Sequence, residues 1–182
     1  MRLRPTLALL CAIVLLPLRS SSAQIRLSGV GTLATSIAPF EAFSAGAVQF
    51  EFLLVQPPSA TPLDPAAFLL EGLSGRFVQG SSQITLVGDL LFYTEGFDGG
   101  FSFESPVGTF ILDTFGEQMF TGTIFSPRLI EGEFSLENFP DFPATLAVQG
   151  NVALTAVPEP SSLLLVVAGG VLLFGMARHR RV

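Results

Sequence analysis

The chain has few of the side chains on which covalent and metal-assisted catalysis depends. It contains no tryptophan, one cysteine, one histidine and one tyrosine, and its nine basic residues are all arginine. The cysteine is Cys11 and the histidine is His179, so residues 24–156 hold neither. Serine, cysteine and zinc hydrolases use histidine, lysine or cysteine as base, nucleophile or ligand. We therefore predict a non-enzymatic protein with no catalytic residues, no metal site and no cofactor.

Positive charge is also scarce in the central part of the chain. Residues 24–156 contain three arginines against 14 acidic residues, which gives a net charge of −11. A surface this acidic repels phosphate backbones, so we predict no nucleic-acid partner. It tolerates neutral polymers and divalent cations, and it also keeps an exported protein in solution.

The first 23 residues have the pattern of a secretory signal peptide. Arg2 and Arg4 are followed by an apolar run over residues 7–16, and then by the small residues Ser21-Ser22-Ala23. Signal peptidase reads this order of charge, apolar run and small side chains. We predict cleavage after Ala23, which removes the cysteine with the signal peptide.

An uncharged, membrane-length stretch lies near the C-terminus. Residues 163–177 carry no charged or strongly polar side chain, and two serines extend the uncharged stretch to residues 161–177. A bilayer core of about 30 Å needs about 20 helical residues, with a lower limit near 17. The arginines that follow fit the positive-inside rule. We predict a single C-terminal transmembrane helix that ends at a basic membrane stop, Arg178, Arg180 and Arg181.

A rigid segment precedes the apolar run, with the sequence Val157-Pro158-Glu159-Pro160. Each proline keeps the residue before it out of the helical region, so the segment is extended and accessible to a protease. The order of this segment, the apolar run and the terminal arginines resembles the PEP-CTERM sorting signal. The resemblance covers residues 157–181. It implies that exosortase, a membrane-embedded protease, processes the chain at a motif made of Val157, Pro158, Glu159 and Pro160.

The same resemblance implies a destination and an association. The protein is expected to be exported and anchored in the inner membrane by its C-terminal helix. After processing it is expected at the cell surface or outside the cell. Family association suggests a structural role in the cell envelope or extracellular matrix, beside exopolysaccharide in a biofilm. Nothing in residues 24–156 itself points to that association.

Apolar and polar residues alternate through most of residues 24–156. Val48, Phe50, Phe52 and Leu54 form the clearest run, and similar runs recur near residues 84, 101, 110, 120 and 130. This period of two, with breaks at glycine or proline, is typical of short antiparallel strands. We predict a mainly β fold over residues 24–156, either an antiparallel β-sandwich or a small barrel. It is flanked by the signal peptide, residues 1–23, and by the sorting signal, residues 157–182.

Two segments carry a different local prediction. Residues 65–72 contain an apolar cluster after Asp64, a candidate N-cap, and this predicts a short helix. Gln149-Gly150-Asn151 separates two apolar triplets, and this predicts a hairpin turn.

A second class of function is a carbohydrate- or calcium-binding adhesin module. The acidic, glycine-rich turn at residues 95–100 could coordinate calcium, although it lacks the ligand spacing of an EF-hand loop. Phe97, Phe139 and Phe142 could stack on sugar faces, or they could pack beneath their own loops.

A third class is a glycosidase that uses carboxylates alone. Glu131 and Glu133 would lie about 7 Å apart on one face of a strand, within the spacing of about 6.5–9.5 Å found in inverting enzymes. Alternating acids on an exposed strand are also ordinary, since they prevent edge-to-edge pairing.

Overall fold

A computed structural model describes residues 23–56, 58–139, 144–148 and 150–158, and within these ranges the chain is built almost wholly from β-strands. The strands are β1 (Ala23–Leu33), β2 (Gly46–Gln56), β3 (Thr61–Leu63), β4 (Ala67–Gln79), β5 (Ser82–Tyr93), β6 (Phe101–Glu104), β7 (Phe110–Gly116), β8 (Phe120–Thr123), β9 (Ser126–Leu129), β10 (Gly132–Asn138), β11 (Leu146–Val148) and β12 (Gly150–Val157). A single 3-10 turn, Glu95–Phe97, lies between β5 and β6. The predicted signal peptide up to residue 22 and the predicted transmembrane helix lie outside the described residues.

Eight of the strands close into an antiparallel barrel. Hydrogen-bonded neighbours follow the order β1, β2, β4, β5, β6, β7, β10 and β12, and β12 pairs with β1. Gly29 lies opposite Phe50 across β1 and β2, and Leu27 lies opposite Leu154 across β1 and β12. The prediction of a mainly β, antiparallel fold is confirmed, and of the two predicted architectures, a sandwich or a small barrel, the structure has the barrel.

The alternation in sequence fills the barrel with phenylalanine rings. Successive side chains of a strand point to opposite faces, so every second residue faces the interior. The closest ring pair within the barrel wall is Phe52 with Phe103, whose centroids lie 4.7 Å apart. The aromatic cluster comprises six fully or almost fully buried residues, Phe50, Phe52, Phe77, Phe92, Phe101 and Phe103.

Glycines on neighbouring strands make room for two of these rings. Gly29 is the cross-strand partner of Phe50, and Gly75 is the partner of Phe52. A Cβ atom on Gly29 would lie 2.6 Å from Cζ of Phe50, and one on Gly75 would lie 2.5 Å from Cε1 of Phe52. Carbon atoms in contact need about 3.5 Å. A larger residue at either position would therefore displace a ring of the core.

The two ends of the barrel are closed by different segments. At the terminal end, where β1 begins and β12 ends, Gln24 lies opposite Val157. The ribbon formed by β8 and β9 covers this end and buries Phe120. The other end, where β1 ends and β2 begins, is the far end. There the segment between β1 and β2 inserts Phe40 into the barrel, and its ring centroid lies 5.3 Å from that of Phe77. The interior is filled along its length, which leaves the outer wall and the ends for function.

The helix predicted at residues 65–72 is wrong, because β4 begins at Ala67. Phe68 pairs with Pro62 of β3 on one side and with Phe92 of β5 on the other. A short apolar run is compatible with either a helix or a buried strand. Here strand partners on both sides, and the stacking of Phe68 on Phe92 at 5.2 Å, select the strand.

The hairpin predicted at residues 149–151 is also wrong. Gly31 lies opposite Val148 of β11, and Ser28 lies opposite Ala153 of β12, so both strands run along β1 in the same direction. Between these two pairs β1 has two residues and the other side has four, which indicates a bulge rather than a reversal. Gly150, with a φ of 108°, accommodates it.

Replacing Gly75 with alanine is expected to lower the free energy of unfolding by about 1–3 kcal/mol, because the added methyl group overlaps Phe52 in a packed interior. Gly96→Ala is the matched control, since a Cβ there meets nothing within 4 Å. Urea unfolding followed by circular dichroism measures both variants. Phe52→Leu should recover part of the loss in the Gly75→Ala background, and equal stability of the two alanine variants would contradict this packing.

Candidate functional site

A groove of about 270 Å³ lies on the outer wall of the barrel beside β5, β6 and β7. Its walls combine aromatic side chains with two acids and a phenol. Small-molecule sites have this character, mostly apolar with a few polar groups that set orientation. The residues that give the groove its chemistry are Tyr93, Phe97, Asp98, Phe110, Asp113 and Phe139.

The polar groups of the groove lie on the outward face of the strands. Ser102 lies between two inward phenylalanines of β6, and its cross-strand partner on β7 is Asp113. The Tyr93 hydroxyl and Ser102 Oγ are 2.9 Å apart and share a hydrogen bond in which either can donate. Ser102 is fully buried and Asp113 is 5% exposed, although both face outward. Neighbouring segments therefore cover this part of the wall, and the backbone N–H of Phe139 donates to the Asp113 carbonyl at 3.1 Å.

The Asp113 carboxyl is the chemically distinctive group of the groove. Burial, and secondly the negative charge of Glu104, raise its pKa from 3.8 to about 6. Among the described residues, no side chain lies close enough to donate a hydrogen bond to this carboxyl. An ionised carboxylate is an acceptor, so a carboxyl in this position can accept hydrogen bonds from hydroxyl groups of a bound molecule.

Tyr93 supplies a neutral hydroxyl beside this carboxyl. Burial raises the pKa of its phenol above the usual 10.0, and the hydrogen bond to Ser102 only partly opposes that shift. The phenol therefore keeps its proton at neutral pH. The groove thus offers a hydroxyl that can donate or accept a hydrogen bond, next to the Asp113 carboxyl, which can accept one. This arrangement is suitable for binding a polyol.

Two aromatic residues named from the sequence meet at this groove. Phe97 is 47% exposed and lines one side. Phe139 also lines the groove, and its ring packs edge-on against Phe115 with centroids 5.8 Å apart. Phe142, the third phenylalanine considered for sugar stacking, lies outside the described residues.

The acidic turn considered for calcium is shaped by backbone contacts with β7. Asp98, Gly99 and Gly100 all have positive φ values, of 64°, 63° and 73°. A Cβ on Gly99 would lie 2.2 Å from the Gly116 carbonyl oxygen, so glycine is required there for the close approach. Among the residues that the structure describes, no group of three or more acidic, histidine or cysteine side chains could hold a metal ion.

The acids considered for glycoside hydrolysis lie away from the groove. Glu131 precedes β10, Glu133 is its second residue, and both are exposed. Glu133 accepts a hydrogen bond from Asn151 Nδ2 at 3.1 Å. Asp113, by contrast, lines the groove, although no pattern in the sequence singles it out. Its cover comes from a segment distant in the sequence, in which the Phe139 N–H donates to the Asp113 carbonyl.

The sorting segment begins at the terminal end of the barrel. Val157, the last residue of β12, pairs with Gln24, and Ala23 is the first residue of β1. Pro158 follows in the chain and is exposed. The predicted signal peptidase position and the start of the sorting motif therefore lie side by side. Glu159, Pro160, Arg178, Arg180 and Arg181 lie outside the described residues.

No helix within residues 23–158, apart from the gaps named above, has both the length and the apolar character needed to cross a bilayer.

Asp113→Asn is expected to stabilise the protein at pH 7 by about 1–3 kcal/mol and to leave its stability near pH 4 unchanged. The folded protein holds the Asp113 proton more tightly than the unfolded chain, so this group's contribution is present below pH 3.8 and is lost as pH rises to about 6. Urea unfolding of both proteins from pH 4 to 8 measures the difference. A difference that does not change with pH would show that the carboxyl titrates normally.

Comparison with known proteins gives a family match at the C-terminal end of the chain. No curated protein and no solved structure matches the chain significantly. The family model of the PEP-CTERM protein-sorting motif matches residues 156–181, which include the last two residues of β12. The chain therefore carries a PEP-CTERM protein-sorting motif, and this motif identifies it as an exported protein that an exosortase-type membrane enzyme sorts.

Proposed function

We propose that the barrel is a non-enzymatic component of the cell envelope or extracellular matrix. A signal peptide exports it, the C-terminal helix holds it in the inner membrane, and exosortase then processes it at Val157-Pro158-Glu159-Pro160. The observation that carries this proposal is the match of residues 156–181 to the sorting motif. The association with exopolysaccharide is the part of the proposal that depends on the barrel rather than on the tail.

The position of the motif supports processing of a folded substrate. Val157 is paired within the sheet, and the chain leaves the barrel at the exposed Pro158. Proline has no N–H to donate and fixes its own φ, so the regular strand pairing of β12 ends at Val157. A protease can then bind the segment after Val157 without opening a strand pair.

The composition of the barrel supports a binding role over catalysis. Residues 24–156 have no histidine, lysine or cysteine to act as nucleophile or base. Glu131 and Glu133 are both exposed, and Glu133 accepts an ordinary hydrogen bond from Asn151. Residues 24–156 therefore lack the side chains that most hydrolytic mechanisms need, and this supports the proposal of a non-enzymatic protein.

Co-expression with exosortase is expected to shorten the protein by the mass of its tail and to move the barrel out of the membrane fraction. Combined substitution Pro158→Ala, Glu159→Gln and Pro160→Ala should leave the full-length protein in that fraction, because the rigid segment is lost. Mass spectrometry and membrane fractionation measure both outcomes. Pro106→Ala, in an exposed turn at the far end, is the control and should be processed normally. Identical masses with and without exosortase would refute the sorting step.

The groove favours a second function, the binding of a neutral saccharide. A sugar presents apolar C–H faces and a rim of hydroxyl groups. Phe97 and Phe139 offer apolar walls for the faces, while Asp113 and Tyr93 offer hydrogen-bonding groups for the rim. The net charge of −11 over residues 24–156 disfavours an anionic polysaccharide. This function would supply the contact with exopolysaccharide.

Titration with neutral glucan, galactan and mannan oligosaccharides is expected to detect binding that Asp113→Asn weakens about tenfold or more, since a hydrogen bond to a charged group is lost. Phe97→Ala should weaken binding by a similar factor, whereas Val107→Ala at the far end should not. Calorimetry measures affinity, with alginate and calcium chloride as comparison ligands. Binding of calcium alone would favour the calcium module, and release of reducing ends would favour a glycosidase.

A further inference from the structure

The terminal end of the barrel exposes large apolar side chains. Phe125, in the turn between β8 and β9, is 70% exposed. On the outer face of β2, near its last residue, Leu53 is 50% exposed and Val55 is 47% exposed. Their register partners on β1 are Arg26 and Gln24, close to the point where the chain leaves the barrel.

The ribbon that carries Phe125 is fixed to the barrel rather than free. Both polar atoms of the Gln56 side chain bond the Leu129 backbone: Nε2 donates to the carbonyl at 3.4 Å, and the N–H donates to Oε1 at 3.3 Å. The ring of Phe120 meets that of Phe68 edge-on at 4.9 Å. Ile124, the neighbour of Phe125, is buried in the core. The ribbon therefore holds Phe125 outward on a rigid support.

The charge of this ribbon differs from that of the rest of the domain. Residues 121–128 contain no acid, although residues 24–156 contain 14. The same eight residues include Arg128, one of three arginines in the domain, and its side chain is exposed. The ribbon thus carries an exposed phenylalanine and an exposed arginine but no acid. This combination suits a lipid surface, with its apolar interior below a layer of phosphate groups.

The sorting tail brings such a surface close to the terminal end. Five residues separate Val157 from the apolar run that begins at Leu163. Fully extended, that segment spans about 20 Å, and the headgroup layer occupies about 5–8 Å of this distance. Before processing, the end of the barrel that carries Phe125 is therefore held beside the bilayer.

We propose that the β8–β9 ribbon docks on the phospholipid surface until exosortase acts, with Phe125 at the level of the headgroups and acyl chains and Arg128 on a phosphate. This inference rests on the proposed membrane-anchored state. Docking would orient the barrel and hold Pro158 at the depth where a membrane-embedded protease can reach it. The loss of the tail then removes the tether and leaves the ribbon as a weak, reversible contact.

A single-tryptophan experiment tests this contact, because the chain has no tryptophan of its own. Full-length Phe125→Trp and Val107→Trp are reconstituted separately into phosphatidylcholine vesicles with and without brominated acyl chains. Val107 is 84% exposed in the turn between β6 and β7 at the far end, so it is the matched control. We expect bromolipid to lower the fluorescence of the Phe125→Trp protein by about half, because an interfacial side chain lies close to the acyl chains. The fluorescence of the Val107→Trp protein should not change.

Flotation of the same vesicles separates the two proposals. If the protein floats with the vesicles and the Phe125→Trp protein is not quenched, the docking inference is overturned and the anchored state stands. If the protein does not float, both are overturned. Equal quenching of the two proteins would show that the barrel has no preferred orientation, which also contradicts docking by the ribbon.

Discussion

Packing of phenylalanine rings against cross-strand glycines is the constraint on which the barrel depends. The interior of an eight-stranded barrel is just wide enough for side chains to fill. Phe50 and Phe52 fit because Gly29 and Gly75, their partners across the sheet, present no side chain. Many exported domains use disulfides to supplement a small core. Residues 24–156 have no cysteine, and dense aromatic packing takes that place.

A filled interior places any ligand on the outer wall or at the barrel ends. On a bare barrel the outward Ser102 and Asp113 would face water. The neighbouring segments that carry Phe97 and Phe139 line the groove above them. The same outward orientation on β10 leaves Glu133 exposed, with an ordinary hydrogen bond to a neighbour. Asp113 and Glu133 both face outward from their strands. Asp113 is suited to binding because neighbouring segments cover it, whereas Glu133 stays exposed.

Local pattern predicted the strands well, and it failed where distant partners decide the structure. The alternation at residues 48–54 predicted β2 with its inward phenylalanines. The cluster at Phe68 has no period of its own, and only its partners on β3 and β5 make it a strand. The sequence predicts a turn at Gly150, because nothing nearby in the chain reveals that β1 lies alongside. The importance of Asp113 was missed for the same reason, since its cover comes from Phe139, 26 residues further along the chain.

The pairing of β1 with β12 has a consequence for how this domain reaches its folded state during export. The seam of the barrel joins the first and last strands, so the ring stays open until residues 150–157 have crossed the membrane. Until then β1 and β10 expose unpaired strand edges, which are prone to pair with other chains. The sorting motif follows the closing strand directly. In the membrane-anchored state proposed above, the barrel would therefore close just after its last strand is delivered, while the chain is still tethered to the membrane.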